Sequence, residues 1–200
     1  MSAKRDLLIA LGLQEQGVSV LTNEARVREY VYSYANNKGR YGTQQSLLKD
    51  SWCQFFVNWL LRQNGYPEFK RGYQEWLRDQ KNNDDGFHYI MRNKNKYIPK
   101  KGDIYYAPEV KNSTGAWGTT HHMGFIIKVL APNTYLTLDG NSGDHNPGVT
   151  LWTGTAHNTL QGGQGGGKVS VNKRIDNVNV NVKIRCFLEL PPMMYMPTEI

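Results

Sequence analysis

The sequence contains only two cysteines in 200 residues, Cys53 and Cys186. A disulfide framework needs several cysteines at recurring spacings, so small disulfide-stapled scaffolds are excluded. Cys186 lies in the alternating run 180–190, where a buried thiol that acts as a small hydrophobic side chain is the simpler interpretation. Cys53 is therefore the cysteine that has to be considered for chemistry.

Long hydrophobic runs are missing as well. No stretch of the sequence approaches the roughly 20 consecutive apolar residues that a membrane-spanning helix needs. The segment 1–12 has a basic start, but its apolar part is short, contains Asp6 and offers no small-residue cleavage site. It predicts an amphipathic helix rather than a signal peptide. We expect a protein that is made in the cytoplasm and leaves it, if at all, by another route.

Acidic residues are fewer than basic ones: 17 Asp and Glu against 24 Lys and Arg, a formal net charge of +7. Such a surface favours an anionic partner, for example nucleic acid, an acidic membrane face or a bacterial wall polymer. The basic residues are scattered and form only short clusters, such as those at 94–96 and 100–101. A nucleic-acid groove concentrates them on one element, so the distribution argues against nucleic acid.

Helical patterns come first along the chain and strand patterns follow. Helical spacing predicts helices over 5–15, 24–36, a cysteine-containing stretch that ends at Asn64-Gly65, and 70–80, with a polar loop over 39–48. Period-two alternation predicts strands at 103–107, 123–130, 134–139, 168–173 and 178–190. This order predicts one α+β domain with an antiparallel sheet over 1–200, with a core of about 5–190 and a loosely attached tail at 191–200.

The cysteine helix carries a broad apolar stripe, formed by Trp52, Phe55, Phe56, Trp59 and Leu60. We expect it to be the buried central helix. If Asp50 caps it, Cys53 is the third residue of the first turn, where the positive end of the helix dipole stabilises a thiolate. The backbone N–H of Cys53 can then also stabilise an oxyanion.

A histidine and two polar residues complete the parts of a cysteine nucleophile triad. His122 starts an apolar strand, and its neighbour His121 is a competing candidate that alternation places on the opposite face. Asp139 and Asn141 end the next strand two residues apart, so both are predicted to share a face. Either can orient the imidazole through its distal nitrogen. An ordinary turn is the alternative for Asp-Gly-Asn.

Two other groups of residues have part of the pattern of a metal site or of a phosphate-binding loop. His121, His122, Asp139, Asp144 and His145 contain metal-ligating groups, but their spacing follows no standard zinc pattern. The glycine-rich segment 162–168 has part of the spacing of a phosphate-binding loop. It leads into a strand instead of a helix and has valine at 169, so we interpret it as a hairpin connection.

Four pieces of the sequence, taken in order, resemble a known family. They are a nucleophile helix at 52–59, a Pro-x-x-Gly-Asp strand entry at 99–103, a His-x-Gly strand at 122–126 and an Asp-Gly-Asn strand end at 139–141. Together they resemble the CHAP domains, cysteine- and histidine-dependent amidohydrolases/peptidases of the papain-like superfamily that cut amide bonds in peptidoglycan. The helical lead-in at 10–34 is similar to a CHAP subgroup of phage lysins and secreted wall-degrading effectors.

The resemblance implies a papain-like fold and a role for each matched residue. Cys53 is the nucleophile, His122 the general base and then acid, Asp139 the orienting acid and Asn141 a polar helper. Asp139 stands where many relatives have the longer Glu, so Asn141 is an alternative orienting residue. Some phage relatives bind calcium just before the cysteine, but the stretch 40–45 has no acidic residue, so we expect no metal and no cofactor.

The expected function is therefore a peptidoglycan amidase or endopeptidase. It fits an antibacterial effector delivered by a type VI-like apparatus, which would act in the target's periplasm or wall and be blocked by an immunity protein. A phage endolysin or tail-associated lysin is the alternative. A non-catalytic wall-binding or structural module with the same fold and a cysteine peptidase or transglutaminase-like enzyme acting on proteins also remain open.

Overall fold

The architecture is that of a computed structural model, which describes residues 2–32, 43–49, 52–68, 87–91, 97–107, 109–111, 117–118, 122–142, 167–176, 182–184 and 186–190. Within these ranges four helices precede the strands. They are α1 (Ser2–Gln14), α2 (Glu24–Tyr32), α3 (Gln44–Lys49) and α4 (Cys53–Gln63). α1 is the longest of them at 13 residues, and none in the described ranges has the length and apolar character needed to cross a membrane.

The strands that follow form two antiparallel sheets. They are β1 (His88–Met91), β2 (Ile104–Ala107), β3 (Glu109–Lys111), β4 (Trp117–Gly118), β5 (His122–Ala131), β6 (Thr134–Ser142), β7 (Lys168–Ile175), β8 (Val182–Lys183) and β9 (Cys186–Glu189). The main sheet has six strands in the order β1-β9-β2-β5-β6-β7, and a small second sheet has the order β4-β3-β8. The predicted α+β class with an antiparallel sheet is confirmed.

The main sheet separates two apolar clusters. Residues paired directly across an antiparallel ladder lie on the same face, and the pairing of Phe125 with Leu138 puts both on the face that packs against α4 and the other helices. The opposite face carries a smaller cluster that includes Tyr105, Ile126 and Phe187. The side chains of the candidate site on β2, β5, β6 and β7 belong to this second face, as shown below.

Helix α4 is the central packed element of the described helices. Seven of its residues are buried, including Phe56, Trp59 and Leu60. The ring of Tyr30 from α2 packs edge-on against Phe56 and at a tilt against Trp59. Its end is a glycine motif in which Gly65 has a φ of 68° and the Tyr66 N–H donates to the Leu61 carbonyl at 2.9 Å. The predicted helix end at Asn64-Gly65 is confirmed.

The start of α4 differs from the expectation. Cys53 is the first helical residue and not the third, because Trp52 occupies the N-cap position and makes no side-chain capping bond. The Trp52 side chain is fully buried and lies against the ring of Tyr30. Its burial therefore determines where the chain enters the helix, and Cys53 lies directly at the helix N-terminus. Asp50, the expected cap, lies outside the described residues.

Other boundaries also differ. The predicted loop at 39–48 overlaps α3, which begins with reciprocal hydrogen bonds between Thr43 and Ser46 and is anchored by buried Leu47. The predicted strand at 178–190 is divided into β8 and β9, and β1, β3 and β4 were not predicted. The predicted helix at 70–80, the stretch 33–36, most of the glycine-rich segment and the tail at 191–200 lie outside the described residues.

Substitution of Leu60 tests the position of the core. Its side chain is 0% exposed on α4, so Leu60→Ala should lower the free energy of unfolding by about 2–5 kcal/mol through lost burial and a cavity. The same change at Leu7, which is 63% exposed on α1, should cost less than about 0.5 kcal/mol. Urea unfolding of both variants measures the difference, and equal losses would contradict this assignment of the core.

Candidate functional site

The first residue of α4 and the first residue of β5 meet. Cys53 is 6% exposed and His122 is 4% exposed, and the thiol is a hydrogen-bond partner of the imidazole. The His122 Nε2 atom lies 3.5 Å from Asp139 Oδ1 on β6. The structure thus brings together three of the residues that the sequence singled out.

The register of the sheet explains why His122 and Asp139 are on the same face. Gly124 pairs directly with Asp139, and His122 precedes Gly124 by two residues on the same strand. A side chain at Gly124 would occupy the space that the carboxylate uses. A Cβ there would lie 2.6 Å from the Leu138 carbonyl and closer still to Asp139 Oδ1. The glycine of the His-x-Gly motif therefore allows Asp139 to approach β5.

Asp139 is fully buried and accepts hydrogen bonds from several directions. Its Oδ1 accepts from the Tyr105 hydroxyl at 2.6 Å. Its Oδ2 accepts from Thr137 Oγ1 at 2.9 Å, from Asn172 Nδ2 at 2.6 Å and from Arg174, whose Nη2 lies at 2.7 Å and Nε at 3.2 Å. These donors can be satisfied by the ionised carboxylate, so the surroundings of Asp139 favour its charged form.

The pKa of Asp139 is accordingly depressed. Burial by itself raises the pKa of this carboxyl, but the positive charge of Arg174 and the hydrogen bonds from His122 and Tyr105 outweigh it and hold the pKa well below its ordinary value. Asp139 is therefore an anion throughout the neutral range.

The pKa of His122 is shifted in the opposite direction. Burial, the largest influence, lowers it, and the charge of Arg174 lowers it further. The hydrogen bonds to Asp139 and Cys53 prevail and raise the pKa of His122 above its ordinary value. An imidazolium beside a thiol stabilises the thiolate form, which is the nucleophile.

Asn141 lies at an irregular position of β6. It has a positive φ of 53°, and the ladder between β6 and β7 is irregular between Asp139 and Ser142. Its Oδ1 accepts from the Gly167 backbone N–H at 3.1 Å. The prediction that Asn141 shares a face with Asp139 assumes regular alternation along β6, and a role of Asn141 beside His122 stays a prediction. Asp139 contacts His122 directly, at 3.5 Å between Oδ1 and Nε2.

The polar residues of β7 that surround Asp139 were not predicted from the sequence. Ser170, Asn172 and Arg174 are buried at alternate positions of β7, and Ser170 and Asn172 pair directly with Asp139 and Thr137. A strand whose alternate positions are polar is usually interpreted as having a solvent-facing side. The available signal was the Ser-x-Asn-x-Arg pattern, but only the register with β6 shows that it faces a carboxylate.

The rival zinc site is only partly described. His122 and Asp139 belong to the triad-like cluster, while His121, Asp144 and His145 lie outside the described residues. Among the residues that the structure describes, no group of three or more His, Cys, Asp or Glu side chains is arranged to hold a metal ion. Cys53 and Cys186 are both buried thiols that form no disulfide, and Cys186 belongs to the apolar core as predicted.

The depressed pKa of Asp139 predicts how stability depends on pH. The ion pair between Asp139 and Arg174 stabilises the fold fully above the ordinary Asp pKa near 4. This stabilisation is lost as the pH falls through the lower pKa that Asp139 has in the folded protein. Asp139→Asn should cost about 3–5 kcal/mol at pH 7, because Arg174 stays buried without its carboxylate. It should also lose less additional stability than the wild type between about pH 5 and pH 2.

Urea unfolding at a series of pH values measures both effects. Asp6→Asn is the matched control, since Asp6 is exposed and pairs with Lys101 at the surface; it should change stability by less than about 1 kcal/mol. If Asp139→Asn loses as much stability on acidification as the wild type, the prediction that Asp139 is a buried, ionised carboxylate is wrong.

The chain matches no family model, no curated protein and no solved structure.

Proposed function

We propose that this protein is a cysteine amidohydrolase of the CHAP type, with a papain-like fold, that cleaves amide bonds in peptidoglycan. The observation that carries the proposal is the contact of Cys53 with His122, whose other side faces the Asp139 carboxylate. A nucleophile hydrogen-bonded to a base, with the base oriented by a third group, is the arrangement that nucleophilic catalysis requires. The position of Cys53 at the N-terminus of α4 adds support, because the helix end favours a thiolate.

The first half of the reaction forms a thioester. The Cys53 thiolate attacks the amide carbon, and the carbonyl oxygen becomes an oxyanion. The Cys53 N–H lies at the helix N-terminus, where backbone N–H groups have no acceptor within the helix and can stabilise such an anion. As the C–N bond breaks, its electron pair goes to nitrogen, and the imidazolium of His122 protonates the leaving amine.

The second half releases the enzyme. Neutral His122 takes a proton from water, the resulting hydroxide attacks the thioester carbon, and a second oxyanion forms. Its collapse breaks the C–S bond, returns the thiolate and leaves a carboxylic acid product. Asp139 keeps its charge throughout and orients the imidazole through Nε2.

Peptidoglycan is proposed as the substrate on two grounds. The four motif pieces occur in the order found in CHAP domains, and the net charge of +7 suits an anionic wall polymer. Within this class we favour an antibacterial effector delivered by a type VI-like apparatus and blocked by an immunity protein over the active cleft. A phage lysin, which needs no immunity protein, is the alternative.

The proposal predicts that the two cysteines differ in function. Cys53→Ala should lower the rate of peptide release from purified peptidoglycan sacculi by at least about 1,000-fold, because the nucleophile is removed. Cys186→Ala is the matched control: Cys186 is buried in β9 among apolar side chains, so the variant should keep its activity once it is shown to be folded. Mass spectrometry of the soluble products gives both the rate and the bond that is cut.

The products distinguish the alternatives. Stem peptides detached from glycan indicate an amidase, and shortened cross-links indicate an endopeptidase. If the wild type releases nothing although an alkylating reagent modifies Cys53 rapidly, peptidoglycan is the wrong substrate and a protein substrate takes its place. If Cys53 is also unreactive in the folded protein, a non-catalytic binding module is the better description.

A further inference from the structure

Arg174 on β7 contacts both the carboxylate and the imidazole of the candidate triad. Its Nη2 lies 2.7 Å from Asp139 Oδ2 and 3.2 Å from His122 Nε2. Its Nε is a second donor to the same carboxylate oxygen at 3.2 Å, and its guanidinium lies 5.9 Å from the centre of the Tyr105 ring. The side chain is only 1% exposed. A buried cation is therefore built into the site at the distal side of His122.

Four described elements bring titratable or charged groups to His122. They are α4 with Cys53, β2 with Tyr105, β6 with Asp139 and β7 with Arg174. The pKa of Tyr105 is raised well above its ordinary value, chiefly by burial, so its hydroxyl stays neutral and serves as a donor to Asp139. Asp139 and Arg174 are thus the two opposite charges that act on the distal nitrogen.

Arg174 and Asp139 require different protonation states of His122 Nε2. A guanidinium has only N–H donors, so Arg174 can hydrogen-bond to Nε2 only when that nitrogen carries a lone pair. Asp139 is an acceptor and needs a proton on Nε2. The separation between Nε2 and Asp139 Oδ1 is 3.5 Å, at the long limit of a hydrogen bond, while the Arg174 contact is shorter at 3.2 Å. Arg174 therefore opposes the pull of Asp139 on the imidazolium.

We propose that Arg174 is a positioning residue of the amide-cleaving reaction: it anchors the Asp139 carboxylate beside His122 and offsets part of that carboxylate's charge, so that the proton on His122 remains transferable to the leaving amine. The inference rests on the proposed function. A buried carboxylate without a counter-charge would stabilise the imidazolium too strongly, and a weaker acid transfers its proton to the amine less readily.

The role differs from that of a structural ion pair. A purely structural partner would need contacts with Asp139 alone, and the two bonds from Nη2 and Nε supply them. The contact of the same Nη2 with His122 Nε2 makes the charge of Arg174 act on the imidazole directly. Its effect must therefore appear in the titration of His122, which a structural ion pair elsewhere in the sheet would not change.

The test is the pKa of His122 in the resting protein, measured by NMR of histidine-labelled protein and assigned with His122→Ala. Arg174→Gln, which removes the charge, should raise the pKa of His122 by about one unit. Arg174→Lys, which keeps a charge, should shift it by about half as much or less. Arg62→Gln is the matched control, since Arg62 is exposed at the far end of α4, and it should leave the His122 curve unchanged.

An unchanged or lowered pKa of His122 in Arg174→Gln would overturn the inference. If this variant does not fold, the double variant Asp139→Asn/Arg174→Gln carries the test, because it removes both opposing charges together. Its His122 pKa should then stay within about half a unit of the wild type. A value far below the wild type would mean that the charge of Arg174 does not act on His122, and would also overturn the inference.

The titration does not depend on any substrate, so the two proposals can fail separately. If the wild type releases no peptide from sacculi while the His122 shifts are as stated, the peptidoglycan assignment fails and the role of Arg174 stands for another substrate. If the wild type is active and the pKa of His122 is unchanged in Arg174→Gln, the inference about Arg174 fails while the proposed function stands. In the active enzyme, the alkaline limb of the pH profile should move upward with the His122 pKa in Arg174→Gln.

Discussion

A carboxylate removed from water must be matched by donors and by an opposite charge, and the side chain of Asp139 imposes this requirement on four strands of the main sheet. Tyr105 from β2 and Asn172 and Arg174 from β7 converge on its two oxygens, while His122 from β5 faces one of them. Leaving such a charge unmatched costs several kcal/mol, so strands that supply the partners must pair in this register and no other. The polar cluster therefore specifies the sheet as well as the site.

Close approach of the backbones makes this cluster compatible with a packed core. Gly124 leaves room for the carboxylate on one face of the sheet, and a Cβ at Gly140 on the other face would lie 2.5 Å from Phe56 Cβ. The two glycines thus flank Asp139 with space for the carboxylate on one side and for α4 on the other. Because α4 packs closely against β6, its first residue, Cys53, lies next to His122 at the start of β5.

The site also shows why burial and chemistry are connected. Charges interact strongly in surroundings with little water, so small displacements of Arg174 or Asp139 change the proton affinity of His122 substantially. A thiolate and an imidazolium at the surface would be screened by solvent and salt. In the interior, the Asp139–Arg174 pair faces His122 with fixed geometry, which is the electrostatic preorganisation that the acyl transfer proposed above would need.

The sequence by itself determined the α+β class, the end of α4, most strands, and the identities of Cys53, His122 and Asp139 as candidate residues. These features depend on local periodicity and on motifs within a few residues, which a single chain displays directly. The start of α4 was wrong because the burial of Trp52 against Tyr30 is a contact over more than 20 residues of chain. Only the tertiary structure decided that the polar alternation of β7 faces Asp139, since strand register depends on pairing between distant segments. For the same reason, Arg174 cannot be recognised as a site residue from the sequence alone, and only the pairing of β7 with β6 shows it.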